Sequence, residues 1–288
     1  MFKFSFRFRN KGKFSKQEIA KIELIREIKK FGKTIGLRKT INFLRFKEKD
    51  KRLIENCGFF NDVLPFSYFD PNYIYFDDFP KNRENYVLGT EISSAFSGGS
   101  LITRPFLRLS NFDITELVLH EDFHDSVSLP RHINESAAKI VGLIGSFYFN
   151  SSSDEKLAKN HLLFFLRDEV TPELECYEKL KKIYEDFSQR KISENKFNGL
   201  RKKLLHSIYH GGEFERLIYL ISMRTYYYYI PLLSRLLISF NMDIRRFVDF
   251  FKKFPYKEPV GFGIKVFDET RRLEILAEKY IKREINNL

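Results

Sequence analysis

The residues best suited to chemistry in this chain are His120, Glu121 and His124, which spell H-E-x-x-H, and Glu135, which follows after ten intervening residues. On a helix, residues four apart lie one above the other, so His120 and His124 can offer two imidazole nitrogens to one metal ion. Glu121 falls on the flank of that face, within reach of a metal-bound water but not of the metal itself. This is the residue pattern of a zinc hydrolase, in which a carboxylate serves as general base to water on the ion.

Such chemistry needs a frame. Ile114, Leu117, Val118, Glu121 and Phe123 have the spacing of an amphipathic helix, with Asp113 as its expected cap and Glu116 reaching back in a capping box. That helix is expected to end near Ser128, before Pro130. A catalytic zinc takes three protein ligands and leaves a fourth position for water. Glu135 is the candidate third ligand: the loop Ser128 to Ile133 reverses the chain, and a second helix opening near Asn134 carries Glu135 on its first turn. Ala137, Ala138, Gly142 and Gly145 would let the two helices pack closely. Each half also has an ordinary structural explanation, since a polar helix can hold two histidines and Asn-Glu-Ser is common capping chemistry. The conjunction of spacing, helical frame and turn favours the metal site.

At these residues the chain resembles the glutamate zincins, in particular a family of predicted zinc aminopeptidases whose pattern is an H-E-x-x-H helix followed closely by N-E-S-x-A. The matching residues are HEDFH (120–124) and NESAA (134–138), over about forty residues. The resemblance implies a zincin-like core with His120, His124 and Glu135 on one Zn2+ ion, Glu121 as general base, and a peptide substrate cleaved at its N-terminus. It also implies a late helix with a Thr-Tyr pair before a proline. Thr225-Tyr226 in RTYYYYIPLLSRLL fits that pair, which makes Tyr226 the candidate oxyanion donor. The asparagines expected about ten positions earlier are replaced by Arg216 and Leu217. Four adjacent tyrosines, 226–229, cannot all face one way on a helix and must divide between core and cleft. Endopeptidase action is the nearest alternative.

The remaining chain supplies the setting. A length of 288 residues with 43% hydrophobic content fits one catalytic domain. Within it we distinguish a basic region 1–53, a zincin core 86–150 and a helical half 151–288. The expected class is α+β, mainly α, with a small antiparallel sheet before the metal helix. Residues 1–53 hold 18 Lys or Arg against 5 Asp or Glu, whereas the rest is near neutral at 32 against 33. Such a segment could attract nucleic acid or an anionic membrane surface. Yet Ile19, Ile22, Ile25 and Ile28 recur as on one buried helix face, and the basic residues then form its solvated side.

Phe2, Phe4, Phe6 and Phe8 alternate with polar residues as in a strand. Cys57 and Cys176 form no disulfide framework or metal-ligand spacing. No apolar run of spanning length and no signal-like stretch is evident, so a cytoplasmic location is expected, with peripheral membrane association as the alternative.

Residues 56–85 are rich in turn signals and read as short strands and loops. Tyr86 to Leu109 reads as two strands joined at Ser97-Gly98-Gly99-Ser100, either a plain hairpin or, as the zincin resemblance implies, an edge for pairing with a peptide backbone. Glu91 on that edge is the candidate anchor for a substrate amine. The run Ser151-Ser152-Ser153-Asp154 caps one helix of the C-terminal half and Pro172 starts another. Glu173 to Lys203 reads as an exposed helix or helical hairpin. His206 and His210 lack a following glutamate and read as a structural helix end. Glu213 to Phe240, Asp243 to Lys253 and Asp268 to Leu288 complete the helical layer.

Overall fold

The computed structural model describes residues 14–48, 54–92, 99–151, 154–207, 212–260 and 264–288, with backbone alone at 54, 55, 90–92 and 213. The expected Phe2 to Phe8 strand, Gly98, His210 and the Glu91 side chain lie outside this description. The protein is mainly helical and, among the described residues, has one three-stranded antiparallel sheet in the order β2-β1-β3. The strands are β1 (Ile54–Phe60), β2 (Ile74–Phe76) and β3 (Tyr86–Ile92), paired with Cys57 opposite Tyr75 on one side and Gly89 on the other.

Helix α1 (Lys16–Thr34) opens with a full capping box between Ser15 and Glu18. It buries Ile22, Ile25 and Ile28, while Ile19 is only half covered. Its lysines and arginines thus form largely the solvated side of a packed helix. Lys29 is the exception, buried at 7% exposure.

The expected hairpin over 86–109 does not form. Its first half is β3, but Ser100 and Ile102 join the segment 43–47 instead, with Phe43 N donating to Ser100 O (2.6 Å) and Ile102 N to Arg45 O (2.8 Å). The chain then enters a short helix, α2 (Arg104–Leu107), capped by Thr103 with Pro105 in its first turn. A strand reading of this stretch missed that Thr-x-Pro is a helix start.

The next two helices are α3 (Asn111–His124) and α4 (Arg131–Asn150). Beyond them come α5 (Glu155–Phe165), a π turn (Leu166–Val170), α6 (Thr171–Ser188), α7 (Glu194–His206), α8 (Glu213–Tyr227), α9 (Ile230–Ser239), α10 (Ile244–Lys252) and α11 (Ile264–Asn286). Within the expected capping run 151–154 it is Asp154 that caps α5, accepting from Lys156 N and Leu157 N. Pro172 stands in the first turn of α6, and α6 and α7 form the exposed hairpin. No helix among the described residues is long and apolar enough to cross a membrane.

Two apolar clusters build the interior. The larger gathers α1, α3, α4, α9, α10 and α11; the smaller joins the sheet to α6, α7 and α8. Helix α8 contributes to both, with Leu217, Leu220 and Ile221 in one and Tyr227 in the other. It seats on β3 by placing the Phe214 ring where a Cβ at Gly89 would stand. Cys57 and Cys176 form no disulfide with each other and are buried in the smaller cluster, where the Tyr73 hydroxyl donates to Cys57 Sγ (3.3 Å).

Candidate metal centre

Helix α3 starts three residues earlier than its pattern suggested. Ser110 is the cap, accepting from Asp113 N (3.1 Å) and donating to Asp113 Oδ2 (2.7 Å). Glu116 is therefore not a capping residue. The helix ends at His124, four residues before Ser128, with Asp125 as its C-cap. Helix α4 likewise begins at Arg131 and not at Asn134, so Glu135 stands on its second turn. Its cap comes from far along the chain. Pro130 has no side-chain oxygen to offer, and Glu274 of α11 accepts from the His132 backbone N–H (3.1 Å).

The two helices run antiparallel and press two stripes together. On α3 the stripe is Glu116, His120, His124; on α4 it is Arg131, Glu135, Lys139, each at intervals of four. Lys139 pairs with Glu116 at one end, and Glu135 faces both histidines in the middle. Close approach depends on two glycines: a Cβ at Gly142 would stand 2.8 Å from the Glu116 backbone oxygen, and one at Gly145 2.5 Å from Leu119 Cδ1.

His120 Nε2 and His124 Nε2 are 3.0 Å apart, and Glu135 Oε2 is 3.4 Å from each. Ligands about 2.0–2.1 Å from a tetrahedral zinc stand about 3.3–3.4 Å from one another. The three atoms thus form a triangle close to one face of that tetrahedron. They are the only such group among the described residues. The donor set of two imidazoles and a carboxylate suits zinc.

Electrostatics follow from the packing. Burial opposes protonation of His124, but the adjacent Glu135 carboxylate outweighs it and raises the ring to about 9. Burial likewise disfavours charge on Glu135, yet His124 and His120 hold its pKa well below the ordinary carboxylate range. Burial lowers the pKa of His120. Glu121, 5% exposed, has its carboxyl raised by burial to about 7, against the pull of His124. Its Oε2 is buried with no hydrogen-bond partner among the described residues.

The tyrosines divide as expected. Tyr226 brings its ring to 6.0 Å from that of His120. Tyr227 packs edge-on against Phe165, and Tyr228 covers Arg224. Tyr229 is buried beside Tyr228. Ser136, in the N-E-S motif, explains this arrangement: its hydroxyl donates to Tyr226 O (2.7 Å) and accepts from Tyr229 N (3.2 Å), tying α4 to the end of α8. Thr225 is turned inward, bonding Ile221 O of its own helix. Arg216 and Leu217 are both buried.

Three supporting residues escaped the sequence reading. Lys29 donates to both oxygens of Asp122 at 2.9 Å and to Thr40 Oγ1, and Thr40 bonds Asp122 in turn. Asn42 donates to Glu121 O (3.1 Å) and Asp125 Oδ2 (3.0 Å) while accepting from Gly99 N and Ser100 N. These contacts lock the far side of α3 to α1 and to two loops. Gly99 has φ +140°, a conformation that side chains resist, so glycine suits this docking point.

A second array joins Ser67, His132 and Glu274, with His132 Nε2 2.7 Å from Ser67 Oγ and Nδ1 2.5 Å from Glu274 Oε1. Its order matches nucleophilic triads. All three side chains are fully buried and Ser67 Oγ also accepts from Phe69 N, so the array offers no face to a substrate and serves to anchor α4. His206 is exposed at the end of α7, as a structural helix end requires.

No family model matches the chain, and searches of curated proteins and of solved structures give no match either.

Proposed function

We propose that this chain is a zinc-dependent peptidase, with aminopeptidase action as the form its motif resemblance implies. His120, His124 and Glu135 would hold the ion. Bound there, the ion would supply Lewis-acid chemistry, making water more acidic and the scissile carbonyl more electrophilic. Glu121 takes the proton from the attacking water at Oε2 and returns it to the leaving amine. Tyr226, from the end of α8, donates a hydrogen bond to the oxygen on which charge develops. Lys139 and Glu116, paired beside the triad, hold the two helices in register.

The observation that carries this reading is the conjunction of three donor atoms at 3.0–3.4 Å with the unpartnered buried Oε2 of Glu121 beside them. A buried carboxylate oxygen without a partner is costly, and a catalytic water or substrate supplies the partner. Glu121→Gln keeps size and burial but removes the base. It should retain zinc and lose roughly 10²–10⁴-fold in peptide hydrolysis; unchanged turnover would overturn the mechanism. Hydrolysis of free but not N-acetylated peptides would establish the aminopeptidase form, and equal rates would make the enzyme an endopeptidase.

A further inference from the structure

We propose that Arg224 is the core of an oxyanion-binding site separate from the metal triad. The side chain is 2% exposed. Its guanidinium carbon lies 3.3 Å from the centre of the Tyr228 ring and 3.9 Å from that of Phe66. At these distances the rings cover the faces of the guanidinium and leave its N–H groups pointing outward in the plane. There Nε and Nη1 are buried and find no acceptor among the described residues. Arg271 also stacks on Phe66 at 3.9 Å, but it is paired with Glu274, which already accepts from the ring and backbone of His132. Glu274 is thus taken up by Arg271 and His132, and the carboxylate that acts on Arg224, Glu178, does so through space without a hydrogen bond to it among the described residues.

A buried, unpaired positive charge with unfilled donors calls for an anion. The planar fork of an arginine selects a carboxylate or a phosphate. Tyr228 lines a groove of about 990 Å³ along α6 and α7. On that groove Lys179 is paired with Glu175 and Lys182 with Asp186, which leaves Lys203 as the wall cation with no carboxylate partner among the described residues. Arg224 and Tyr226 are two residues apart on α8 and so face opposite ways: Tyr226 toward His120, Arg224 toward Phe66 and Tyr228. This separates the site from the metal triad and makes it independent of the peptidase reading.

The test is thermal unfolding of the full chain in inorganic phosphate or acetate, against chloride at equal ionic strength. The wild-type midpoint should rise saturably, by about 3–6 °C at ten times the dissociation constant. The rise should persist in His120→Ala, which lacks the metal site. It should vanish in Arg224→Met, whose midpoint without anion should equal or exceed that of wild type because the unpaired charge is gone. A response to phosphate alone or to acetate alone identifies the oxyanion. A midpoint that neither anion moves beyond chloride, or an Arg224→Met protein that responds like wild type, overturns the proposal. Should Arg224→Met fail to fold, calorimetric titration of both anions into wild type and Arg224→Lys decides. Saturable heat that weakens in Arg224→Lys supports the site, and no heat or unchanged affinity removes it.

Discussion

Removing Lys29 should destabilise the protein far more than its place in a basic helix suggests. Its ammonium, 7% exposed, sits 2.9 Å from both oxygens of Asp122, itself 3% exposed. Lys29→Met would leave that carboxylate buried without a counter-charge, a loss of about 3–5 kcal/mol. For a chain of this size that corresponds to a fall of roughly 6–20 °C in the unfolding midpoint. The double variant Lys29→Met, Asp122→Asn should recover most of the loss, because the amide removes the stranded charge and can keep the bond to Thr40. Burial lowers the Lys29 pKa even with Asp122 pulling it upward, so the pair does not fully offset its own desolvation. The pH dependence has a definite sign. In the single variant the folded Asp122 pKa lies above its unfolded value, so stability is greatest below the unfolded pKa near 4 and is lost as pH rises toward the folded one. Denaturant melts at several pH values measure this. A Lys29→Met cost under about 1 kcal/mol, or a double variant no better than the single, would refute the reasoning.

Two further outcomes follow from the site. His124 has a pKa of about 9 without metal and must be neutral to bind zinc. Zinc affinity should therefore climb with pH up to about 9, and binding near pH 7.5 should release about one proton, read by calorimetry in buffers of different ionisation enthalpy; no buffer dependence would contradict the His124–Glu135 pairing. Gly142→Ala should cost roughly 1–3 kcal/mol and weaken zinc binding, because the new methyl meets the Glu116 backbone oxygen at 2.8 Å. Gly199→Ala, with nothing within 4 Å of the added carbon, is the matched control and should gain roughly 0.5–1 kcal/mol.

The clustering of His120, His124 and Glu135 was legible because its information is local. HEDFH and NESAA fix both helical registers by themselves, and small residues in α4 announce the close contact. The division of the four tyrosines followed from helical geometry alone. What was not legible depends on partners distant in sequence. Glu274 caps α4 from 142 positions away, so Asn134 looked like the cap. Lys29 meets Asp122 across 93 positions, and within α1 it looks like any other surface lysine. Asp113 was mistaken for a cap because Ser110, also a good cap, lies three residues before it and bonds to it. The hairpin over 86–109 failed since β-branched and aromatic content shows strand propensity but not which strand is the partner. Arg224 gave no sequence signal at all, because an unpaired buried arginine can be recognised only once its surroundings are known.

Metal content tests the central claim most directly. Wild-type protein and His120→Ala, purified without chelator or histidine tag, would be assayed by plasma mass spectrometry after dialysis against zinc. The account predicts about one zinc per wild-type chain and its loss in the variant. No zinc in either protein, or equal zinc in both, would contradict it and reduce HEDFH to a chance pattern on a well-packed helix.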